Sequence, residues 1–396
     1  MNGQRKPMKQ DNPMKTMIVI AIALLAVTVI SVLGVKLCQG WIDKDYTATR
    51  ERIENENEEM KLDFDAKMNA MRASSASNNV VYEMDPTIEE ELETYTATLL
   101  NSDWRLVDMG NTGLENAGSI VLNRSDMMNG GLLLVNSWHS IPLDFSTEGL
   151  IPVGKTSNFD IPVDSNNVML FPQAYSALYE AILTAKEEAG LEHYLVREGY
   201  RSVQEQEELF NSRMVKLSSR YSGERLIEET KKDVNYPGTS DYHTGMSFRM
   251  DIFEKNNKEF NNLKFQAESE QGKWLTENCW RFGIIFRFPC LDFPNENWED
   301  KSYKTGVSTQ INLYRYVGKA HAAAMTILGN CLEEYLEFLI KHPHVCIYQD
   351  GTLKYEIVRM NAADSVEEFQ LPLPNPAQSY QASLDNLGGI VLAYTY

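Results

Sequence analysis

The sequence predicts an α+β chain behind a membrane-spanning start, and three observations carry that reading. Nineteen residues from Met17 to Val35 hold no charge. Amphipathic helical patterns, at 171–190, 202–218 and 319–341, alternate with short strand-like pieces. The last fifty residues change character around an Asp350-Gly351 turn flanked by alternating apolar residues. At 396 residues and 43% hydrophobic, the chain has material for a sizeable core, which excludes wholesale disorder. The net charge of −19 excludes nucleic acid as the main partner, because phosphate binding needs a surplus of Lys and Arg.

The elements follow in order. Residues 1–16 read as a cytoplasmic tail, with Arg5, Lys6, Lys9 and Lys15 against Asp11. Residues 17–37 read as a transmembrane helix, since about 20 apolar residues span a bilayer. The basic flank places the N-terminus in the cytoplasm and the remainder outside, as a single-pass cell-membrane protein. Val35, Lys36, Leu37 and Cys38 lack the small-x-small pattern of a cleaved signal, so an uncleaved anchor is expected. Half of residues 43–72 are charged, and Tyr46, Ile53, Met60 and Lys67 recur every seven. This predicts a helical stalk, either solvated or a weak dimer.

Residues 80–341 then read as one domain and 345–396 as a β-rich appendage. A short helix is expected over 86–100, with apolar runs at 119–122 and 132–135. Pro172 near a first turn and Gly190 at the end bound a clear helix. Residues 319–341 read as one amphipathic helix through Ala320, Ala324, Leu328, Cys331, Tyr335 and Leu339. Val345–Gln349 and Thr352–Arg359 form a hairpin signal, and Gly389–Tyr396 a final strand. Cys38, Cys279, Cys290, Cys331 and Cys346 show no metal-type CxxC spacing. Cys331 reads as a buried small hydrophobe, and Cys279 with Cys290 is the pair to consider for a bridge. Trp274 and Trp280 read as core.

Four blocks carry the chemistry. The chain reads Gly-Tyr-Arg-Ser-Val-Gln-Glu-Gln at 199–206 and Pro-Gly-Thr-Ser-Asp-Tyr-His-Thr-Gly-Met-Ser-Phe-Arg-Met-Asp at 237–251. It reads Phe-Gly-Ile-Ile-Phe-Arg-Phe-Pro at 282–289 and Gln-Ile-Asn-Leu-Tyr-Arg-Tyr-Val-Gly at 310–318. Together they resemble the VanY-type D-alanyl-D-alanine carboxypeptidases, zinc peptidases of bacterial cell walls. The resemblance runs from about Leu132 to about Lys341. It implies a small antiparallel sheet flanked by helices.

The resemblance also implies a site. Those peptidases take a His and an Asp ligand from Ser-x-His-x-x-Gly-x-x-x-Asp. The third ligand and a water-activating Glu come from Glu-x-x-His. A metal with an open position lowers the pKa of its water, and the carboxylate takes the proton. In this chain Ser240 and Gly245 fall in place, but Tyr242 stands at the His position and Arg249 at the Asp position. With Arg315-Tyr316-Val317-Gly318 fixing the register, Gln310 stands for the Glu and Leu313 for the second His. Gln cannot act as a general base at neutral pH, and neither Arg nor Leu ligates zinc.

Rebuilding the site from neighbours meets geometric objections. His243 is one residue past its slot and so on the other face, and Asp251 is two past. His243 reads as a solvent-facing or capping residue, Asp251 as a surface acid and His321 as a packed helix-start histidine. Arg201 matches the family arginine beside the substrate, and a guanidinium can hold a peptide carboxylate bidentately. Gln206, Ser240, Arg287 and Arg315 also match.

The resulting expectation is a membrane-anchored pseudo-peptidase without zinc or other cofactor and with no catalytic residue. Arg201, Gln206 and Ser240 would bind substrate, and Tyr242, Arg249 and Leu313 would fill the former metal site. The expected partner is a peptidoglycan stem peptide or an envelope protein. Two alternatives remain: an active zinc carboxypeptidase with displaced ligands, and a structural spacer in an envelope complex. Arg249 is expected inside the former site, where a buried guanidinium needs a carboxylate, an anion or open water.

Overall fold

The computed structural model describes residues 93–396, apart from 111, 115–116, 155–160, 166, 295–297, 308–309, 311 and 363–365. Its strands are β1 (Thr94–Leu99), β2 (Ser102–Asp108), β3 (Ala117–Asn123), β4 (Ile151–Pro152), β5 (Met169–Leu170), β6 (Tyr194–Glu198) and β7 (Ser247–Ile252). They continue with β8 (Ile284–Phe286), β9 (Leu313–Tyr316), β10 (His344–Gln349), β11 (Thr352–Asn361), β12 (Glu368–Pro374), β13 (Ser379–Leu384) and β14 (Gly389–Thr395). Four sheets result: a six-stranded one in the order β1-β2-β10-β11-β14-β13, a four-stranded one in the order β6-β7-β9-β8, and the pairs β12-β3 and β4-β5.

This corrects the expected fold class of one small sheet with an appendage. The segment after His344 supplies four of the six strands of the larger sheet, and the other two come from 94–108. Among the described residues no helix is long and apolar enough to cross a membrane. The expected transmembrane helix, and the single-pass membrane localisation built on it, are corrected on that finding. Residues 17–37 and the stalk at 43–72, with its dimer seam, lie outside the described residues. The longest described helix, Pro172–Ala189, has 18 residues and leaves Glu187 and Glu188 exposed while burying an alanine-rich stripe.

Local chemistry explains the element boundaries. Pro172 opens its helix and Gly190, in the left-handed region at φ 69°, closes it. Ser202 and Glu205 form a reciprocal capping box at the start of Val203–Leu217. The helix expected over 86–100 is a strand where it is described. Thr-Tyr-Thr-Ala-Thr alternates along β1, and Tyr95 pairs with Leu106 on β2. The single helix expected at 319–341 is two, Lys319–Leu328 and Leu332–Lys341, because Gly329 turns left-handed at φ 66°. Cys331 is therefore the residue capping the second helix, and it is buried. Cys279, Cys290, Cys331 and Cys346 are unpaired, so the bridge considered for Cys279 and Cys290 is not formed.

Two cores position the site. One face of the six-stranded sheet, through Leu106, Val345, Ile347, Ile357 and Val391, packs on the two helices after Gly318. The four-stranded sheet, through Val196, Phe248, Met250 and Tyr314, packs on the helix Pro172–Ala189. Trp280 is buried in the first core and Trp274 packs partly buried against the second. Burial of this kind stabilises by roughly 25 cal/mol per Å² of apolar surface.

Candidate functional site

The site forms beside the two inner strands of the four-stranded sheet, where the turn in the second motif block leads into β7, which pairs with β9. Asp241–Thr244 make a 3-10 turn that Gly245 ends at φ 64°. A Cβ at Gly245 would lie 2.8 Å from side-chain atoms of both Leu150 and Phe171, so a glycine is needed for fit as well as for its dihedral. β7 then pairs with β9, setting Arg249 opposite Leu313, and with β6, setting Arg249 opposite Glu198.

The four exchanged positions come out as follows. Tyr242 and Leu313 are buried together with Phe288 and Val307 in one apolar cluster. The Tyr242 phenol is pushed well above its ordinary pKa, first by burial and then by the nearby Glu198 carboxylate. Arg249 is partly exposed, and its Nε lies 3.8 Å from a Glu198 oxygen. Gln310 donates its amide to the Asn235 side chain at 2.9 Å. Thus Tyr242 and Leu313 pack together, Arg249 borders them through strand pairing, and Gln310 is held by a different partner.

The three substrate-binding candidates are also accounted for. Arg201 lies with its guanidinium carbon 4.5 Å from the Tyr242 ring centroid. It bonds Glu198 at 2.9 Å and donates to the Gln206 carbonyl at 2.6 Å. Gln206 is buried and donates onward to the Asn235 backbone at 2.6 Å. Ser240 is buried at the head of the turn, where its carbonyl accepts from the His243 N–H. Asn235 therefore joins Gln206 and Gln310, and Glu198 joins Arg201, Arg249 and Tyr242.

Glu198 and Asn235 are the two site residues that the motifs did not single out. Each lies just outside a motif block, Glu198 one residue before Gly199 and Asn235 two before Pro237. Only the register that sets Glu198 opposite Arg249 makes it a site residue.

The neighbours considered as replacement ligands are engaged elsewhere. His243 is buried rather than solvent-facing. Its Nδ1–H donates to the Arg201 carbonyl at 2.6 Å and its Nε2 accepts from the Gly238 N–H at 3.1 Å. Both ring nitrogens are used, and burial lowers the ring's pKa despite the carbonyl bond. Asp251 is paired with Arg197 at 2.8 Å. His321 is fully buried, bonds the Tyr335 hydroxyl at 2.8 Å, and is pushed down to about 3 by burial.

Beneath the site lies a fully desolvated ion network. Asp241 accepts from Arg287 at 3.0 Å and from Arg315 at 2.8 Å, and Ser247 donates to its other oxygen. Arg287 also holds Glu333 through two bonds of 3.0 and 2.8 Å, and Arg315 caps the Gly131 and Leu133 carbonyls. Burial pushes the Asp241 carboxyl up, but the two guanidiniums outweigh it and hold it below the usual carboxylate range. These four charges balance, which is the condition for keeping them buried.

Zinc does not fit the four exchanged positions. Tyr242 is buried in an apolar cluster with its phenol held protonated, the Leu313 side chain offers no donor, and Arg249 brings a positive charge. What the arrangement offers is two guanidiniums sharing one carboxylate, a surplus of one positive charge beside an apolar wall.

Comparison with known proteins accords with the motif blocks. A family model described as VanY, D-alanyl-D-alanine carboxypeptidase, matches residues 168–319. The D-alanyl-D-alanine carboxypeptidase of Enterococcus faecium is 23% identical over 283 residues, covering 70% of this chain and 79% of that protein. The YodJ protein of Bacillus subtilis (strain 168) is 30% identical over 206 residues, covering 52% of this chain and 67% of YodJ. Among solved structures, the vancomycin-resistance D,D-dipeptidase VanXYg, in complex with a D-Ala-D-Ala phosphinate analogue, superposes with a TM-score of 0.54. It is 23% identical and covers 71% of this chain and 99% of its own, a likeness of fold.

Proposed function

The chain belongs to the VanY family of D-alanyl-D-alanine carboxypeptidases, and from that premise we propose that it is a non-catalytic member whose cleft holds the carboxylate end of a cell-wall stem peptide without cleaving it. The observation that carries this is the replacement of a ligand set by packing. Tyr242 and Leu313 join Phe288 and Val307 in an apolar cluster, and Gln310 presents an amide tied to Asn235. No carboxylate stands at the position of the family's general base.

Binding is favoured by what the cleft retains. Arg201 is stacked on Tyr242 and fixed at its backbone, donating its N–H to the Tyr242 carbonyl and accepting from His243. A pre-positioned guanidinium loses little freedom when it takes up a carboxylate. Arg249, partly exposed beside it, adds a second cation. A peptide carboxylate would share the pair with Glu198.

Displaced-ligand catalysis is disfavoured by the same contacts, since His243 and Asp251 have partners of their own. Calorimetric titration with a D-Ala-terminated muropeptide tests the proposal. The wild-type chain should bind weakly, and more weakly as salt is raised. Arg201→Ala should lose at least about tenfold in affinity, as expected for a charge-assisted hydrogen bond, and Arg249→Ala should lose a smaller factor. No heat in the wild type, or equal affinity in all three, would leave the cleft idle and point to a spacer.

A further inference from the structure

A second cluster lies on the six-stranded sheet, on the face turned away from the helices. Side chains alternate along β10, so Val345 and Ile347 enter the helical core while His344 and Cys346 point the other way. The antiparallel register sets Glu356 of β11 opposite Cys346. One ligand atom from each of His344, Cys346 and Glu356 lies within 4.8 Å of the other two. His344 Nε2 is 2.8 Å from a Glu356 oxygen, and Cys346 Sγ is 4.0 Å from the same oxygen.

We propose that His344, Cys346 and Glu356 form a zinc site, unrelated to the peptidase cleft and independent of whether that cleft binds peptide. Four arguments support it. First, the donor set of one imidazole, one thiolate and one carboxylate suits a borderline-soft divalent ion. Second, the spacing is close to that of a coordinated set. Zinc bonds of about 2.0–2.3 Å in a tetrahedron separate ligand atoms by roughly 3.3–3.7 Å. The observed 2.8 and 4.0 Å to Glu356 bracket that range, and the remaining separation is no more than 4.8 Å.

Third, His344 and Glu356 each have a partner that orients them. The His344 Nδ1–H donates to the Thr112 carbonyl at 2.8 Å and its Nε2–H donates to Glu356, so zinc would take the place of the Nε2 proton. Tyr396 donates to the other Glu356 oxygen. Metal-bound histidines and carboxylates are held in this way. Fourth, the charges balance, because thiolate and carboxylate together neutralise Zn²⁺ around a neutral imidazole. Binding is then an exchange: the Cys346 sulfur and the His344 Nε2 give their protons to water and take the zinc. With three protein ligands, a water completes the set. The missing CxxC spacing hid the site, since its signal is His-x-Cys on one strand face and a Glu across a hairpin.

The test uses the full-length, untagged chain, stripped with a chelator, dialysed and titrated with Zn²⁺ alone and then with Co²⁺ alone. One zinc per chain should bind with release of protons. Co²⁺ should give a thiolate-to-metal charge-transfer band in the near ultraviolet. Cys346→Ser should abolish that band, and His344→Gln should weaken zinc binding at least about tenfold. Tyr396→Phe keeps all three ligands and should cost about tenfold, which guards against reading a misfolded variant as a lost ligand. A wild-type chain that holds no zinc, or a Co²⁺ form without the sulfur band, overturns the proposal without reference to any variant. Undiminished zinc affinity in Cys346→Ser overturns it as well, and places the metal elsewhere.

Discussion

Asp241 and Tyr242 are neighbours in one 3-10 turn, yet they belong to regions that solve the same burial problem in opposite ways. Below the turn, Asp241, Arg287, Arg315 and Glu333 are nearly or completely withdrawn from water and hold one another by charge. Above it, Tyr242 and Leu313, which align with two ligand positions of the family, pack with Phe288 and Val307 in an apolar cluster. The lower region ties four distant segments together: the turn at 241, the end of β8, β9 and the helix Leu332–Lys341. The upper region joins the turn, Phe288, Val307 and β9 by apolar contact alone. The lower network closes on its own four charges, and none of its residues stands at a position of the family's ligand set.

Breaking the lower region should have the largest effect. Asp241→Asn leaves Arg315 buried without a carboxylate, and removing one partner of a buried pair costs about 3–5 kcal/mol. Chemical denaturation should show that loss at neutral pH. The sign with pH also follows. The folded-state pKa of Asp241 lies below its unfolded value, so its contribution is fully present above the unfolded pKa and is lost as pH falls through the folded one. The acid limb of the stability profile should therefore be shallower in Asp241→Asn. A loss below about 1 kcal/mol would mean that the network is not the frame described here.

Truncating the upper region should cost less. Leu313→Ala removes a buried side chain from a small cluster, an expected loss of about 2–3 kcal/mol. A neutral or stabilising result would show the position to be open rather than filled. The smallest effect on stability belongs to Arg249. It is partly exposed and 3.8 Å from its carboxylate, so Arg249→Ala should change unfolding free energy by no more than about 0.5 kcal/mol. A larger loss would move Arg249 from the cleft rim into the frame.

The legibility of these regions in the sequence follows the range of the contacts. The family resemblance named Tyr242, Arg249, Leu313 and Gln310, because the family's ligand set has fixed intervals. It matched Arg287 and Arg315 to the family but not to each other, since their shared partner Asp241 is 46 and 74 residues away. Glu198 and Asn235 went unnoticed for the same reason. Long-range pairing also hid the larger sheet: β2 and β10 are adjacent, with Trp104 against Gln349, although 245 positions separate them. Helix ends with a local signal, such as Pro172, Gly190 and the Ser202–Glu205 box, were readable. The break at Gly329 carried a local signal too, but the apolar periodicity running through Cys331 and Tyr335 overrode it.

Incubating the chain with a peptide ending in D-Ala-D-Ala, in zinc-containing buffer, and measuring free D-alanine addresses the exchanged positions most directly. With Gln310 tied to Asn235 and Leu313 packed on Tyr242, release should not exceed that of the peptide alone. Release above that background, proportional to chain concentration and retained in Cys346→Ser, would contradict the reading and show that the cleft still activates water.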